Sequence, residues 1–333
     1  MPVDEMLAHN SQYAYTAAVT IYVISMFFYL AESAFGRKAI TAAKAVAEPA
    51  KALVGTDGAT VTGTTVGPDP DAPVNAGVRG NRPLAERLGR MAVALTVLGA
   101  TVHLLSIALR GLAVHRWPLG NMYEFMSFVC LVAVGAWLIL LQRFQIRRLG
   151  AFVLIPVFIL MFLGGTVLYT QAEPVQPALQ SYWLVIHVTV VSTACGVLLV
   201  PGVASVLYLI KGAHERNSAM FMRLGPKLPT QATLDRLAYR TTIFGFPLFT
   251  FGVICGAIWA ESAWGRFWGW DPKETTAFIA WVVYAAYLHS RATAGWRGNR
   301  AAIINVLGFA VMVFNLFFIN LVTTGLHSYA GVG

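Results

Sequence analysis

The side chains in this sequence best suited to chemistry are imidazoles and indoles. Seven histidines and nine tryptophans occur among 333 residues, and three of the tryptophans fall in one stretch of eleven, "WGRFWGWDPKE" at 264–274. A neutral imidazole offers a nitrogen lone pair to iron, copper or zinc. Indole rings offer broad, flat apolar contact. No Asp, Glu or Cys set with metal-ligand spacing accompanies the histidines, which argues against zinc or mononuclear copper. Cys130, Cys195 and Cys255 lie inside apolar runs and form no CxxC, so they read as inert core residues.

What places these groups is a set of long apolar runs. The chain is 57% hydrophobic and only 12% charged, about half the charge of a usual soluble domain. Eight runs are long enough to cross a bilayer, near 13–31, 91–112, 122–142, 150–170, 183–210, 240–260, 275–290 and 301–323. The reading is an all-α, polytopic integral membrane protein, because helices satisfy their own backbone polar groups in lipid. The first run has no basic residues ahead of it and no small-residue cleavage site, so it is expected to be a retained helix rather than a signal peptide.

The net charge of +9 follows the topology. The segments 32–90, 142–149, 211–239 and 291–300, with Arg240 at a span edge, hold 20 of the 24 Lys and Arg residues. The other face holds Arg110, Arg116, Arg266 and Lys273. By the positive-inside rule the basic segments are cytoplasmic and both termini are outside, and no nucleic-acid partner is needed. Residues 44–82 are rich in Ala, Gly, Thr, Pro and Val, and read as a disordered cytoplasmic linker. They separate a first unit, 1–43, from a seven-helix body, 83–333.

On this topology His187, in "SYWLVIHVTV", and His327, in "TTGLHSYAG", lie at similar depth near the outer face, level with the tryptophan loop 261–274. His289, in "YAAYLHSR", lies 18 residues after Asp271, about 27 Å further down the same helix at 1.5 Å per residue. His103 sits near the middle of span two. Each histidine alone also suits a hydrogen-bonded bundle position. The loop has its own plain readings: an aromatic belt at the interface, and a capping box in which Asp271, Pro272 and Glu274 start span seven. Neither accounts for Trp259, Trp264, Trp268, Trp270 and Trp281 together, with Gly265 and Gly269 keeping the loop narrow. Two histidines beside that surface suit haem, whose iron takes imidazoles and whose macrocycle takes flat apolar contacts.

"WGRFWGWDPKETTAFIAW" resembles the WWD signature of the haem-handling proteins of cytochrome c biogenesis. "SYWLVIHV", "YLHSR", "GLHSY" and "WPLGNMYEF" resemble the CcsA/ResC branch, or system II, over about 91–333. The resemblance implies that His187 and His327 are axial ligands of an external haem, held against Trp264, Gly265, Trp268, Trp270 and Asp271. It implies that His289 ligates haem within the membrane, with a second histidine from a ResB-type partner subunit. The implied protein sits in the cell (plasma) membrane with the tryptophan loop and C-terminus on the extracytoplasmic side. It handles haem b as bound ligand and substrate, and presents it to the CxxCH of an apocytochrome c kept reduced by a thiol system. The implied activity is synthase-type haem attachment in complex with that partner. Haem delivery or export without attachment, and a cytochrome b-like electron-transfer subunit, are the alternatives. A solute transporter would carry broken or charged helices near the midplane, and the span interiors show little charge. Glu124, in "NMYEF", suits the dipole of a helix start, with contact to haem or partner as the further reading. Asp271 is read chiefly as the cap that fixes the loop.

Overall fold

The computed structural model describes residues 3–47, 84–174, 180–323 and 325–326, with the side chains of 36–47 excepted. His327 and most of the 44–82 segment lie outside these. Among the described residues every regular element is helical: α1 (Glu5–Ala47), α2 (Leu84–Val114), α3 (Met122–Arg143), α4 (Gly150–Thr166), α5 (Tyr182–Arg216), α6 (Gln231–Trp264), α7 (Pro272–Ala292) and α8 (Asn299–Phe314). A π-helical turn (Asn315–Ile319) and a last short turn (Asn320–Val322) continue α8. Seven helices among the described residues are long and apolar enough to cross a membrane. The remaining long helix, α7, has 21 residues. That is about 31 Å of helix, enough to span, but both its ends are polar.

The helices outrun the apolar runs because their polar ends are good helix formers. Thr230 opens α6, its hydroxyl accepting from the Thr233 N–H, and the Gly225–Lys227 turn precedes it. Pro156, Pro201 and Pro247 lie inside α4, α5 and α6. Burial inside a membrane bundle lets neighbours answer the backbone groups that proline frees. Beside one of these prolines, Asn305 Nδ2 donates to Pro201's own carbonyl at 3.3 Å and to Ser205 Oγ at 2.8 Å, which fastens α8 to α5.

Two packing units meet in the bundle. In the first, α1 packs along α2 and against α4, although the 44–82 segment sets it apart in sequence. One face of α1 carries Ser11, Tyr15, Ala18, Tyr22, Ser25 and Tyr29, all buried. Its polar tips are answered: Ser11 and Ser106 each donate to the other's carbonyl at 2.8 Å, and Tyr15 donates to the Met161 carbonyl at 2.6 Å. In the second unit α5 packs along α6, with α7 and α8 beside them. Gly245, Gly252 and Gly256 line the face of α6 that receives Leu198, Val191 and His187 of α5. Small residues at such a seam let two helices approach closely in lipid.

Candidate functional site

A cleft opens between α5, α6, α7, the start of α3 and the end of α8. Its atom-free space, counted out through the open mouth, is about 1380 Å³. The walls are mainly apolar, with Leu184, Val188, Val191, Phe249 and Val253 among them. Residues 119–122 and Phe125, from the "WPLGNMYEF" segment, form one side. Trp117 reaches across to α5, its Nε1 donating to Thr189 Oγ1 at 2.9 Å.

His187 lines this cleft. Its Nδ1 lies 2.8 Å from the Gly252 carbonyl, and its ring stacks over Trp259 at 6.3 Å with 10° between planes. A carbonyl can only accept, so Nδ1 carries the hydrogen. In the neutral ring Nε2 therefore holds the lone pair, the state a metal ligand needs. An imidazole whose second nitrogen donates to a backbone carbonyl is also the usual arrangement behind a metal-ligating histidine. Gly256 makes the ring's position possible: a Cβ there would lie 2.6 Å from His187 Cε1.

The tryptophan loop closes the cleft from above. α6 ends where Gly265 adopts φ 69°, its N–H donating to the Glu261 carbonyl at 2.8 Å. That left-handed C-cap is a glycine conformation, so the role of Gly265 is to turn the chain. Trp264 packs edge-on against Trp259 at 4.8 Å, and Phe267 and Trp268 line the cleft. Trp268 meets Trp270 and Phe278 edge-on at 5.9 and 6.3 Å, and Phe278 stacks on Trp281 at 6.2 Å. An aromatic ladder therefore runs from the loop into α7. Trp270, at φ 59°, holds a conformation uncommon outside glycine, and its side chain is 68% exposed.

The expected capping box is present. Asp271 accepts from the Lys273 N–H at 3.2 Å, and Glu274 Oε2 accepts from the Asp271 N–H at 3.2 Å. Glu274 also accepts from the Gly269 N–H at 2.9 Å and pairs with Arg266 at 3.3 Å, so one carboxylate gathers the loop. Gly269 leaves room for the Arg266 guanidinium, which a Cβ there would displace. Asp271 does more than cap: its Oδ1 accepts the Leu326 N–H at 2.8 Å. That bond draws the end of the chain, one residue before His327, to the loop.

The other candidates separate from this cleft. His289 is exposed near the far end of α7, where Arg291 pairs with Asp235 of α6 at 2.7 Å. His103 is wholly buried, with Nε2 2.9 Å from Ser127 Oγ and Nδ1 3.4 Å from the Tyr22 hydroxyl. Glu124, 2% exposed, pairs with Arg110 at 3.0 Å and Arg116 at 2.8 Å and accepts the Gly120 N–H at 2.8 Å. Its N–H donates to Asn121 Oδ1 at 2.9 Å. Asn121 thus caps α3, while Glu124 reaches back to the residue before that cap and neutralises two arginines, at the edge of the cleft rather than in it.

Residues 119–327 match the family described as Cytochrome C assembly protein. The chain belongs to this family. Curated relatives place it in the CcsA branch. It is 35% identical over 248 residues to the cytochrome c biogenesis protein CcsA of Mesostigma viride, covering 68% of this chain and 81% of that one. To CcsA of Chlamydomonas reinhardtii it is 36% identical over 275 residues, covering 78% and 74%. A solved structure of the cytochrome c haem lyase CcmF shares the fold with a TM-score of 0.60 at 16% identity, over 95% of this chain and 47% of that one.

The cleft places Trp259, one of the clustered tryptophans, beside His187, and it also contains residues that sequence reasoning passed over: Gly256 next to His187, and Lys273, Asn315 and Asn320 on its polar edge. Two signals were available. Gly252 and Gly256 stand four apart in span six, the spacing of a close helix contact. Asn315 and Asn320, like Asn305, are carboxamides in a mainly apolar span, where polar side chains mark interior surfaces.

Proposed function

We propose that the cleft holds haem b while a client apocytochrome c is joined to it, making the chain a subunit of a membrane cytochrome c synthase. The tautomer and seat of His187, stacked on Trp259 with Nδ1 on the Gly252 carbonyl, are the observation that carries this reading. Family membership points the same way, since the family is one of cytochrome c assembly. His187 supplies one axial nitrogen, and His327, adjoining the Leu326 that Asp271 holds, supplies the other. Trp264, Trp268 and Trp270 shield the macrocycle, Gly265 turns the loop back over it, and Asp271 fixes loop and chain end together.

The reaction asks little covalent chemistry of this chain. Each cysteine of CxxCH adds sulfur and hydrogen across one haem vinyl group, so nothing leaves and no oxidant is consumed. The nucleophiles belong to the apocytochrome, which a thiol-reducing system keeps reduced. What remains for His187 and the aromatic walls is to orient the cofactor and tune its iron. His289, exposed on α7, takes haem within the membrane, its second ligand coming from a ResB-type partner. The tryptophan loop faces the extracytoplasmic side of the plasma membrane, as the sparse positive charge at that end of the bundle supports.

The test is spectroscopic. The chain purified with its partner should show a six-coordinate bis-histidine haem spectrum, and His187→Ala should diminish the signal of the haem in the cleft. An unchanged spectrum with full cytochrome c maturation would overturn the assignment. Reconstituted attachment to a CxxCH peptide separates synthase activity from haem delivery alone.

A further inference from the structure

Four basic residues stand at the cleft end of the bundle, and three of them face acids. Arg110 and Arg116 share Glu124, and Arg266 pairs with Glu274. Lys273 differs. Its ammonium donates to the neutral Asn320 Oδ1 at 2.5 Å, and among the described residues it has no carboxylate within ion-pair distance. Of the two acids nearest in sequence, Glu274 is taken up by Arg266 and by the Gly269 and Asp271 N–H groups, while Asp271 directs Oδ2 to the Lys273 backbone N–H and Oδ1 to the Leu326 N–H, its charge reaching the ammonium only through space.

Lys273 lines the cleft, as do Asn320 and Asn315. Asn320 is itself held in place, its Nδ2 donating to the Asn315 and Leu316 carbonyls at 3.3 and 2.6 Å. Asn315 Oδ1 is buried with no hydrogen-bond partner. A carboxamide turned over offers N–H where it had offered oxygen. The cleft therefore has one edge where a lysine and two amides meet, against walls that are otherwise mainly apolar. A cation in such surroundings is costly unless an anion answers it.

We propose that Lys273, held by Asn320 and joined by the Asn315 carboxamide, forms a carboxylate subsite in the cleft that takes a propionate of the bound porphyrin. This rests on the reading of the cleft as a haem site. It goes further by fixing the in-plane orientation of the ligand. The propionates lie together on one edge of the macrocycle and the vinyl groups do not share it. Anchoring the acid edge at Lys273 turns the vinyl groups away from α8. Lys273 is in this sense a positioning residue: it touches the ligand remote from the atoms that react.

The test compares two porphyrins on the purified chain, haem and haem dimethyl ester, whose propionates are capped and uncharged. Binding is followed by absorbance and tryptophan quenching. The wild-type chain should bind the free acid roughly tenfold or more tightly than the ester, the scale of one charge-assisted hydrogen bond. Lys273→Met should remove that preference while leaving ester affinity within about twofold, and Lys273→Arg should retain it. Equal wild-type affinity for both porphyrins overturns the subsite. So does a Lys273→Met variant that weakens both equally, since that is the mark of a purely structural tie to Asn320. If neither porphyrin binds, or if His187→Ala changes neither affinity, the haem reading itself fails, and the subsite with it.

Discussion

His103 and His187 are both imidazoles inside a helical bundle, and they are held in opposite ways. His103 has both ring nitrogens answered by side-chain hydroxyls, with Tyr15 and Tyr22 edge-on at 6.0 and 5.9 Å. His187 has Nδ1 fixed to a backbone carbonyl, its face on an indole and its ring on the wall of a cleft. The contrast extends to the regions around them. Near His103, polar groups are closed on one another: the serines of α1 and α2 exchange bonds, and Glu124 neutralises two arginines. Around His187, the glycines of α6, the amides of α8 and Lys273 leave space and polar capacity. The first region is built to stay shut and the second to receive something.

The largest effect expected from testing this contrast is in the closed region. Glu124→Ala leaves the buried Arg110 and the half-buried Arg116 without their acid, and should lower stability by about 3–5 kcal/mol. Thermal unfolding in detergent measures it. Next comes the pair of histidines. His187→Ala should weaken haem binding at least as much as loss of an outer-shell partner does, roughly 10- to 100-fold, with little change in unfolding temperature. His103→Ala should do the reverse, leaving the haem spectrum intact while the abandoned hydroxyls cost about 1–3 kcal/mol. If both variants acted on stability alone, the contrast would collapse.

Asp271 lies between the two kinds of residue. Asp271→Ala removes a cap, at about 1–2 kcal/mol, and also releases Leu326. Maturation assayed at matched protein levels should fall by more than the unfolding shift explains, and Asp271→Asn should recover most of it. The smallest effects come from two glycines. Gly256→Ala pushes a methyl at the His187 ring and should lower haem affinity severalfold. Gly135→Ala meets nothing within 4 Å in α3 and should stabilise the helix by about 0.5–1 kcal/mol. Equal responses from the two would show that His187 is not held by that contact.

The elements of this fold are largely legible in the chain because their signals are local. Each apolar run became a helix, and "DPKE" reads directly as the box that Asp271 and Glu274 form. Helix rise alone places His187 and His289 toward opposite ends of the bundle. What sequence does not show is rotation about each helix axis. A span that is apolar all round carries no stripe to say which face turns inward. For that reason the contact of Gly256 with His187, the bond of Lys273 to Asn320 and the tyrosine face of α1 emerge only in three dimensions. Glu124 illustrates the same limit: its place at a helix start is readable, but its two arginine partners, 14 and 8 residues away, are not.

The π-helical turn at Asn315–Ile319 sets the phase of everything after it. In an α-helix, residues five apart point about 140° away from each other, at 3.6 residues per turn. A π turn closes its hydrogen bonds over five residues, which brings Asn315 and Asn320 onto one side. The turn acts as a single extra tooth in a gear. Winding the same residues as regular α-helix, with none removed, would rotate the remaining chain by roughly 100°. Asn320 would swing off Lys273 and Leu326 off Asp271, so the alignment of the chain end with the tryptophan loop is counted out in residues of α8 before either element touches the other.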